Sequence, residues 1–258
     1  ASALRAWQNG TVRGQNRSIP AKMERFFPKT FVIGAQKSAT SSLHEFLEMQ
    51  PTLCSSAWGK EIHFFEVGSN FYKKGMRFYL GQFAKNPKCR ELARQGLNFS
   101  TLDSTPSYMR SPPGMRRLLN SAPPSLVPEL RFIVILREPV RREMSMINYW
   151  RATGWYAGVD YRGPGGQEKY FRMLVDTADA HVPFQRNISL WAGFYDIQLA
   201  EVFTIFSPKQ VLVLNFDDLT HNQPGTLKRI LHFIKTPLPK WRRLKLPSTN
   251  VNSREVSP

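Results

Sequence analysis

The residues best suited to chemistry lie between Phe31 and Leu43, where the chain reads F-V-I-G-A-Q-K-S-A-T-S-S-L. An apolar β-type run, 31–35, turns through small residues into a helical segment, 40–49, and Lys37 sits in the turn. Such a turn aims backbone N–H groups and the positive end of a helix dipole at one point. With Lys37 and the hydroxyls of Ser38, Thr40, Ser41 and Ser42 beside that point, the segment predicts a site for a phosphate or sulfate ester. It is not a Walker A loop, because G-x-x-x-x-G-K-[ST] is absent: one glycine, Gly34, precedes the lysine and none adjoins it.

Two further segments carry chemistry. In R-F-I-V-I-L-R-E-P-V-R-R-E-M-S, residues 131–145, an apolar strand ends in Arg137 and Pro139 suits the first turn of a helix. Ser145 follows Arg137 by about two helical turns, so the pair can flank one phosphate; an arginine at a strand end is also a common salt-bridge partner. In K-E-I-H-F-F-E, Glu61 and His63 lie two residues apart beside two aromatics, with Lys60 and Glu66 at the ends. That spacing allows a partly desolvated acid/base site, and it is equally the pattern of an ordinary strand edge.

These segments must be positioned by elements of a matching kind. Short runs rich in Val, Ile, Leu and Phe predict strands at 31–35, 97–102, 131–136 and 210–215, as in a buried parallel sheet. Helices are expected at 40–49, 139–150, 188–206 and 226–235. In 188–206 the residues Trp191, Phe194, Tyr195, Leu199, Val202, Phe203 and Phe206 form a stripe at helical spacing that reads as core packing. Alternating strands and helices predict one α/β domain, and ligands of such sheets bind beyond the carboxyl ends of the strands. Lys37 and Arg137 both stand there. Residues 1–28 read as a basic arm or stem, 29–258 as the folded domain, and 151–185 as a loop-rich insertion or lid. Pro112-Pro113 and Pro123-Pro124 mark loops.

The chain has 258 residues with 36 Lys+Arg against 19 Asp+Glu, a net charge of +17. Such an excess suits a polyanionic partner: nucleic acid, acidic membrane or an acidic polysaccharide. Cys54 and Cys89 allow one disulfide or two free thiols, and no His/Cys spacing suggests a metal site. No apolar run is long enough to span a membrane. The sequence starts at Ala1 rather than Met, so a targeting segment or anchor is expected upstream. Sequons at Asn9, Asn16, Asn98 and Asn187 lean towards a secretory-pathway lumen; Asn98 is expected near a buried strand and not all four are expected to be used.

Taken in order, the motifs resemble those of the PAPS-dependent carbohydrate sulfotransferases, where PAPS is 3′-phosphoadenosine 5′-phosphosulfate. G-A-Q-K-S-A-T-S-S-L is similar to that family's 5′-phosphosulfate loop, and I-L-R-E-P-V-R-R-E-M-S to its 3′-phosphate motif. K-E-I-H-F-F is similar to the segment bearing the catalytic glutamate in heparan sulfate sulfotransferases, and to K-E-P-H-W-W of N-acetylgalactosamine 4-sulfate 6-O-sulfotransferase. D-S-T-P-S-Y, residues 103–108, is similar to the family's S-P-S-Y stretch. The resemblance covers about residues 29–220. It departs at Ala39, where a glycine is usual and which is expected to keep φ below zero, and at Ser104, where the heparan enzymes often carry a lysine. The C-terminal part matches poorly and ends where relatives continue; Arg254 is a late phosphate-contact candidate.

The resemblance implies a P-loop-like three-layer α/β/α fold with a central, mostly parallel sheet. It implies PAPS held by Lys37, Ser38, Ala39, Thr40, Ser41 and Ser42 at the 5′ end and by Arg137 and Ser145 at the 3′-phosphate. Lys37 would stabilise the leaving oxygen, Glu61 would act as base with His63 assisting, and Lys60, Glu66 and Ser104 would meet the acceptor. The acceptor would be an anionic glycan, the location the Golgi lumen, and neither metal nor nucleic acid would take part. Two other readings have distinct signatures: an NTPase would prefer ATP with magnesium, and a non-catalytic polyanion-binding protein on the same scaffold would bind glycan without transfer.

Overall fold

A computed structural model describes residues 19–153, 188–238 and 244–247, together with Gly165, Gly166, Glu168, Lys169 and Arg172. The greater part of the expected lid, the basic residues 240–243, Arg254 and the sequons at Asn9, Asn16 and Asn187 lie outside the described residues.

Five strands form one sheet: β1 (Thr30–Gly34), β2 (Leu53–Ser55), β3 (Ser100–Asp103), β4 (Arg131–Leu136) and β5 (Val211–Asn215). Their order is β2-β3-β1-β4-β5 and every pairing is parallel. The chain builds one half of the sheet on one side of β1, then crosses to build the other. Such a switch of direction opens a crevice at the carboxyl edge, and β1 and β4 deliver Lys37 and Arg137 to it.

Parallel strands covered on both faces must be apolar on both, and the pleat sends alternate residues to opposite sides. Phe31, Ile33, Phe132 and Val134 join one core; Val32, Ile133, Ile135, Leu212 and Leu214 join the other. The first core is closed by α2 (Gly75–Ala84), α3 (Pro87–Arg94), α4 (Pro112–Ser121) and α6 (Tyr195–Ile205), through residues such as Tyr79, Leu92, Met115 and Val202. The second is closed by α1 (Thr40–Glu48) and α7 (Gln223–Phe233), through Leu43, Phe46, Leu227 and Ile230. The remaining long helix, α5 (Pro139–Thr153), leaves the carboxyl end of β4. The architecture is therefore the expected three-layer α/β/α.

Several local expectations change. β2 is only three residues long, too short for an apolar run to announce it. The stretch 188–206 is two helices, Ile188–Trp191 and α6, separated at Ala192–Phe194. Val202 and Phe206 are buried, while Phe194, in the break, and Phe203, which follows Val202 on an adjacent face of α6, are exposed. Pro112-Pro113 opens α4 rather than marking a loop, because proline is tolerated where the N–H has no helical partner. Phe26 and Phe27, ahead of the expected domain start, are buried in the first core. Asn98 lies two residues before β3 and is exposed. Cys54 and Cys89 form a buried disulfide tying β2 to α3, with their Cα atoms 5.4 Å apart. Among the described residues no helix is long and apolar enough to cross a membrane.

Candidate active site

The loop after β1 has the backbone an anion site requires. Leu43 N–H donates to Ala39 C=O at 3.0 Å, closing the first turn of α1. The N-cap is Ala39, which has no side-chain oxygen, so the helix N-terminus carries no side-chain cap. Ala39 has φ of 60° and Lys37 of 66°, both left-handed. The expectation that Ala39 keeps φ below zero is thereby corrected: it adopts the conformation glycine takes freely, at a cost of about 1–2 kcal/mol. Gly34 has a steric reason, since a Cβ there would lie 2.9 Å from Met109 Sδ.

Lys37 Nζ lies over the Tyr149 ring, 4.1 Å from its centroid. Burial, then the charges of Lys60 and Arg137, hold its pKa below the usual lysine value. Arg137 Nη1 donates to the Lys37 carbonyl at 3.2 Å, which joins the two phosphate motifs directly, and its guanidinium lies 4.6 Å over Phe216. Ser145 is half-buried in the second turn of α5, and Tyr149, one turn on, shares its face. Two buried polar atoms here have no hydrogen-bond partner, Ser38 Oγ and Arg137 Nε. Orphaned groups of this kind cost free energy unless a ligand or water meets them, and one stands in each expected phosphate motif.

The segment 60–66 is a loop, not a strand edge. Lys60 Nζ donates to Thr40 Oγ1 at 3.1 Å, to Ser41 Oγ at 3.0 Å and to Glu61 Oε1 at 3.0 Å. Glu61 Oε2 lies 3.3 Å from His63 Nε2, and His63 Nδ1 lies 3.2 Å from Glu66 Oε2. Ser107 donates to the second oxygen of Glu66. The result is a carboxylate–imidazolium–carboxylate row. The hydrogen bonds that His63 donates to Glu61 and then to Glu66 raise its pKa to about 10, so the ring is cationic at neutral pH. Burial pushes the carboxyls of Glu61 and Glu66 up, but the His63 hydrogen bond, with Lys60 for Glu61 and Ser107 for Glu66, outweighs it and both lie below the usual range. Both are therefore ionised acceptors.

This loop is held by residues 42–44 positions further along the chain. His63 has a positive φ of 53°. Its neighbourhood is fixed by four backbone N–H groups that donate to two buried hydroxyls: Ile62 and His63 to Thr105 Oγ1 at 3.2 and 3.5 Å, and Phe64 and Phe65 to Tyr108 OH at 3.1 and 3.5 Å. Those hydroxyls donate in turn to Asp103, Thr105 at 2.7 Å and Tyr108 at 3.2 Å, and Tyr79 adds a third bond at 2.7 Å. Asp103 is fully buried at the end of β3, and burial raises its pKa to about 6 against these hydrogen bonds. Arg110 stands near Glu66 and Glu61, its pKa lowered by burial. The D-S-T-P-S-Y segment was the visible signal for this support.

Ser104 does not fill its expected place. It is fully buried and its hydroxyl pairs with His44 Nδ1 at 2.9 Å, so it presents nothing to an acceptor. His44, itself on α1, has a pKa lowered to about 4 by burial and then by Lys60, despite Glu48, and is neutral. Lys60 is likewise turned towards the α1 hydroxyls. The structure thus unites Lys37, Thr40, Ser41, Lys60, Glu61, His63 and Glu66 in one crevice and joins Arg137 to it through the Lys37 carbonyl.

A loop with the backbone of an anion site, on a parallel sheet and facing an ionised carboxylate row, is an arrangement suited to transferring a group from a donor with an anionic leaving group. The chain belongs to the sulfotransferase domain family, whose profile matches residues 27–251. It is 25% identical over 247 residues to the bifunctional heparan sulfate N-deacetylase/N-sulfotransferase 2 of Bos taurus, covering 92% of this chain and 26% of that protein. It is 32% identical over 213 residues to the heparan sulfate glucosamine 3-O-sulfotransferase 6 of Mus musculus, covering 81% and 53%. The chain thus spans about a quarter to a half of these relatives' length. A sulfotransferase from Alicyclobacillus acidocaldarius has the same fold, with a TM-score of 0.62 at 20% identity over 88% of this chain and 87% of that one.

Proposed function

We propose that this domain transfers a sulfuryl group from PAPS to a hydroxyl of an acidic glycan of the heparan sulfate type. The observation that carries this reading is the Lys60 bridge: one ammonium touches both hydroxyls at the α1 N-terminus and the carboxylate of Glu61. Anion loop and base are thereby within one side chain of each other, as a direct transfer requires. The similarity to heparan sulfate N- and 3-O-sulfotransferases supports the acceptor class. The orphaned Ser38 Oγ and Arg137 Nε fit a ligand with phosphates at both ends.

In this reading Ser38, Thr40, Ser41 and the N–H groups of the first turn of α1 hold the 5′-phosphate end. Arg137 and Ser145 hold the 3′-phosphate, the group that separates PAPS from ATP. PAPS supplies an activated sulfuryl group whose bond to the 5′-phosphate breaks, the electron pair leaving on the phosphate oxygen, as in phosphoryl transfer. Lys37 neutralises charge on that oxygen. Glu61 accepts the proton of the attacking hydroxyl, a poor nucleophile at neutral pH without a base. His63, cationic between Glu61 and Glu66, orients Glu61 and does not itself take the proton. Residues 29–258, together with the core residues Phe26 and Phe27, form the transferase domain, with 151–185 as its lid and the residues ahead of Phe26 as a basic arm. The net charge of +17 suits an anionic glycan. The buried disulfide suits the oxidising lumen of the secretory pathway, with the Golgi as the site.

The test is transfer of an isotopically labelled sulfuryl group from PAPS to glycan. Label is expected in a heparan-type acceptor and not in a galactosaminoglycan. Label only in the galactosaminoglycan would overturn the acceptor class. Tight glycan binding without transfer would favour a non-catalytic polyanion-binding protein.

A further inference from the structure

The sequence places Lys60 with the acceptor, and the structure turns it the other way. Its ammonium makes three hydrogen bonds of 3.0–3.1 Å, two of them to the hydroxyls that open α1. The Lys60 side chain is only 19% exposed, so its position is set by these partners and not by solvent. Its charge is felt by Lys37, whose pKa it depresses, and by His44. Two lysines held this close face net repulsion, which an anion of charge two or more placed between them removes. Ser104, also expected to meet the acceptor, is buried and bonded to His44 instead. The Lys37 ammonium itself lies against the Tyr149 ring.

We propose that Lys60 is a ligand of the phosphosulfate end of the donor, the second cation of that site beside Lys37, and not a contact for the acceptor glycan. The inference rests on the functional reading above. Lys60 pairs with Glu61 before the donor binds. When the anion arrives, the ammonium leaves the carboxylate for it. Glu61 then retains only His63 as a cationic hydrogen-bond partner, and its basicity rises. Donor binding and readiness of the base are coupled through one side chain, which favours donor binding before proton transfer.

The experiment is calorimetric titration of PAPS, without acceptor, into the wild-type chain and into Lys60→Gln and Lys60→Arg, with glycan affinity measured in parallel. Lys60→Gln keeps a donor and most of the stem but loses the charge, and is expected to weaken PAPS binding about tenfold or more, the loss of a charge-assisted hydrogen bond. Lys60→Arg is expected to retain affinity within about threefold, which separates charge from folding. Glycan affinity should stay within about twofold in both. Wild-type-like PAPS binding in Lys60→Gln, or a loss confined to glycan, overturns the proposal while leaving the sulfotransferase reading intact. Failure of the wild-type chain to bind PAPS overturns both.

Discussion

The loop after β1 and the loop at 60–66 face each other across the crevice, yet they are built by opposite means. The first is local: a buried strand, a turn with Lys37 and Ala39 in left-handed conformations, and a helix N-terminus supply the proposed anion site from consecutive residues. The second has no regular structure. Its four N–H groups are held by Thr105 and Tyr108, 42–44 residues away, and these hang on the single carboxylate of Asp103. An anion site can be made by backbone alone because every residue brings an N–H. A base must be one side chain at one angle, and that needs support from elsewhere in the fold.

The contrast predicts that the two loops fail separately. The largest effect should come from Glu61→Gln, which removes the proposed proton acceptor while leaving the loop after β1 whole. Turnover should drop by about 10²–10⁴-fold, with affinity for adenosine 3′,5′-bisphosphate within about twofold of wild type. Residual turnover above about a tenth of wild type would remove Glu61 as the base. Arg137→Ala is the converse change. It should weaken calorimetric binding of the bisphosphate about 10–100-fold and leave turnover at saturating PAPS close to wild type. Equal affinity in the two proteins would show that the 3′-phosphate is held elsewhere.

Asp103→Asn probes the support and not the chemistry. It replaces a threefold acceptor with an amide that must present one N–H to a hydroxyl, so the 60–66 loop should loosen. We expect turnover to fall about tenfold with bisphosphate affinity unchanged. A fall in both together would mean that Asp103 holds the fold at large and not this loop.

A smaller effect concerns pH. The His63 pKa is raised to about 10 in the folded chain, against an ordinary value near 6.5. A raised basic pKa contributes stability fully below the unfolded value and loses it as pH rises through the folded one. The melting-temperature advantage of wild type over His63→Gln should therefore be greatest below about pH 6.5 and shrink towards pH 10. A difference independent of pH would contradict the paired imidazolium. The smallest effect is in the anion loop: Ala39→Gly should relieve the left-handed strain and, after the entropy glycine adds to the unfolded chain, raise stability by about 1 kcal/mol or less in denaturant unfolding. A loss of stability would show that Ala39 is not strained.

Much of this site was legible in the linear sequence, and the reason is distance along the chain. Strand, turn, lysine and helix are adjacent, so F-V-I-G-A-Q-K-S-A-T-S-S-L determines an element pair and sets Lys37 in the turn between its parts. The apolar runs of β1 and β4 determine a buried parallel sheet, and such a sheet brings Lys37 and Arg137 to one edge. The sequence also placed Glu61 and His63 together, since two residues of separation leave little choice. It could not say that Lys60 faces α1, that Ser104 is withdrawn to His44, that Asp103 carries the 60–66 loop, or that Cys54 meets Cys89. Each of those depends on β3 lying between β1 and β2 and on helices crossing the sheet face above them. Strand order is settled by the packing of two whole cores, a sum over many residues that no short segment contains.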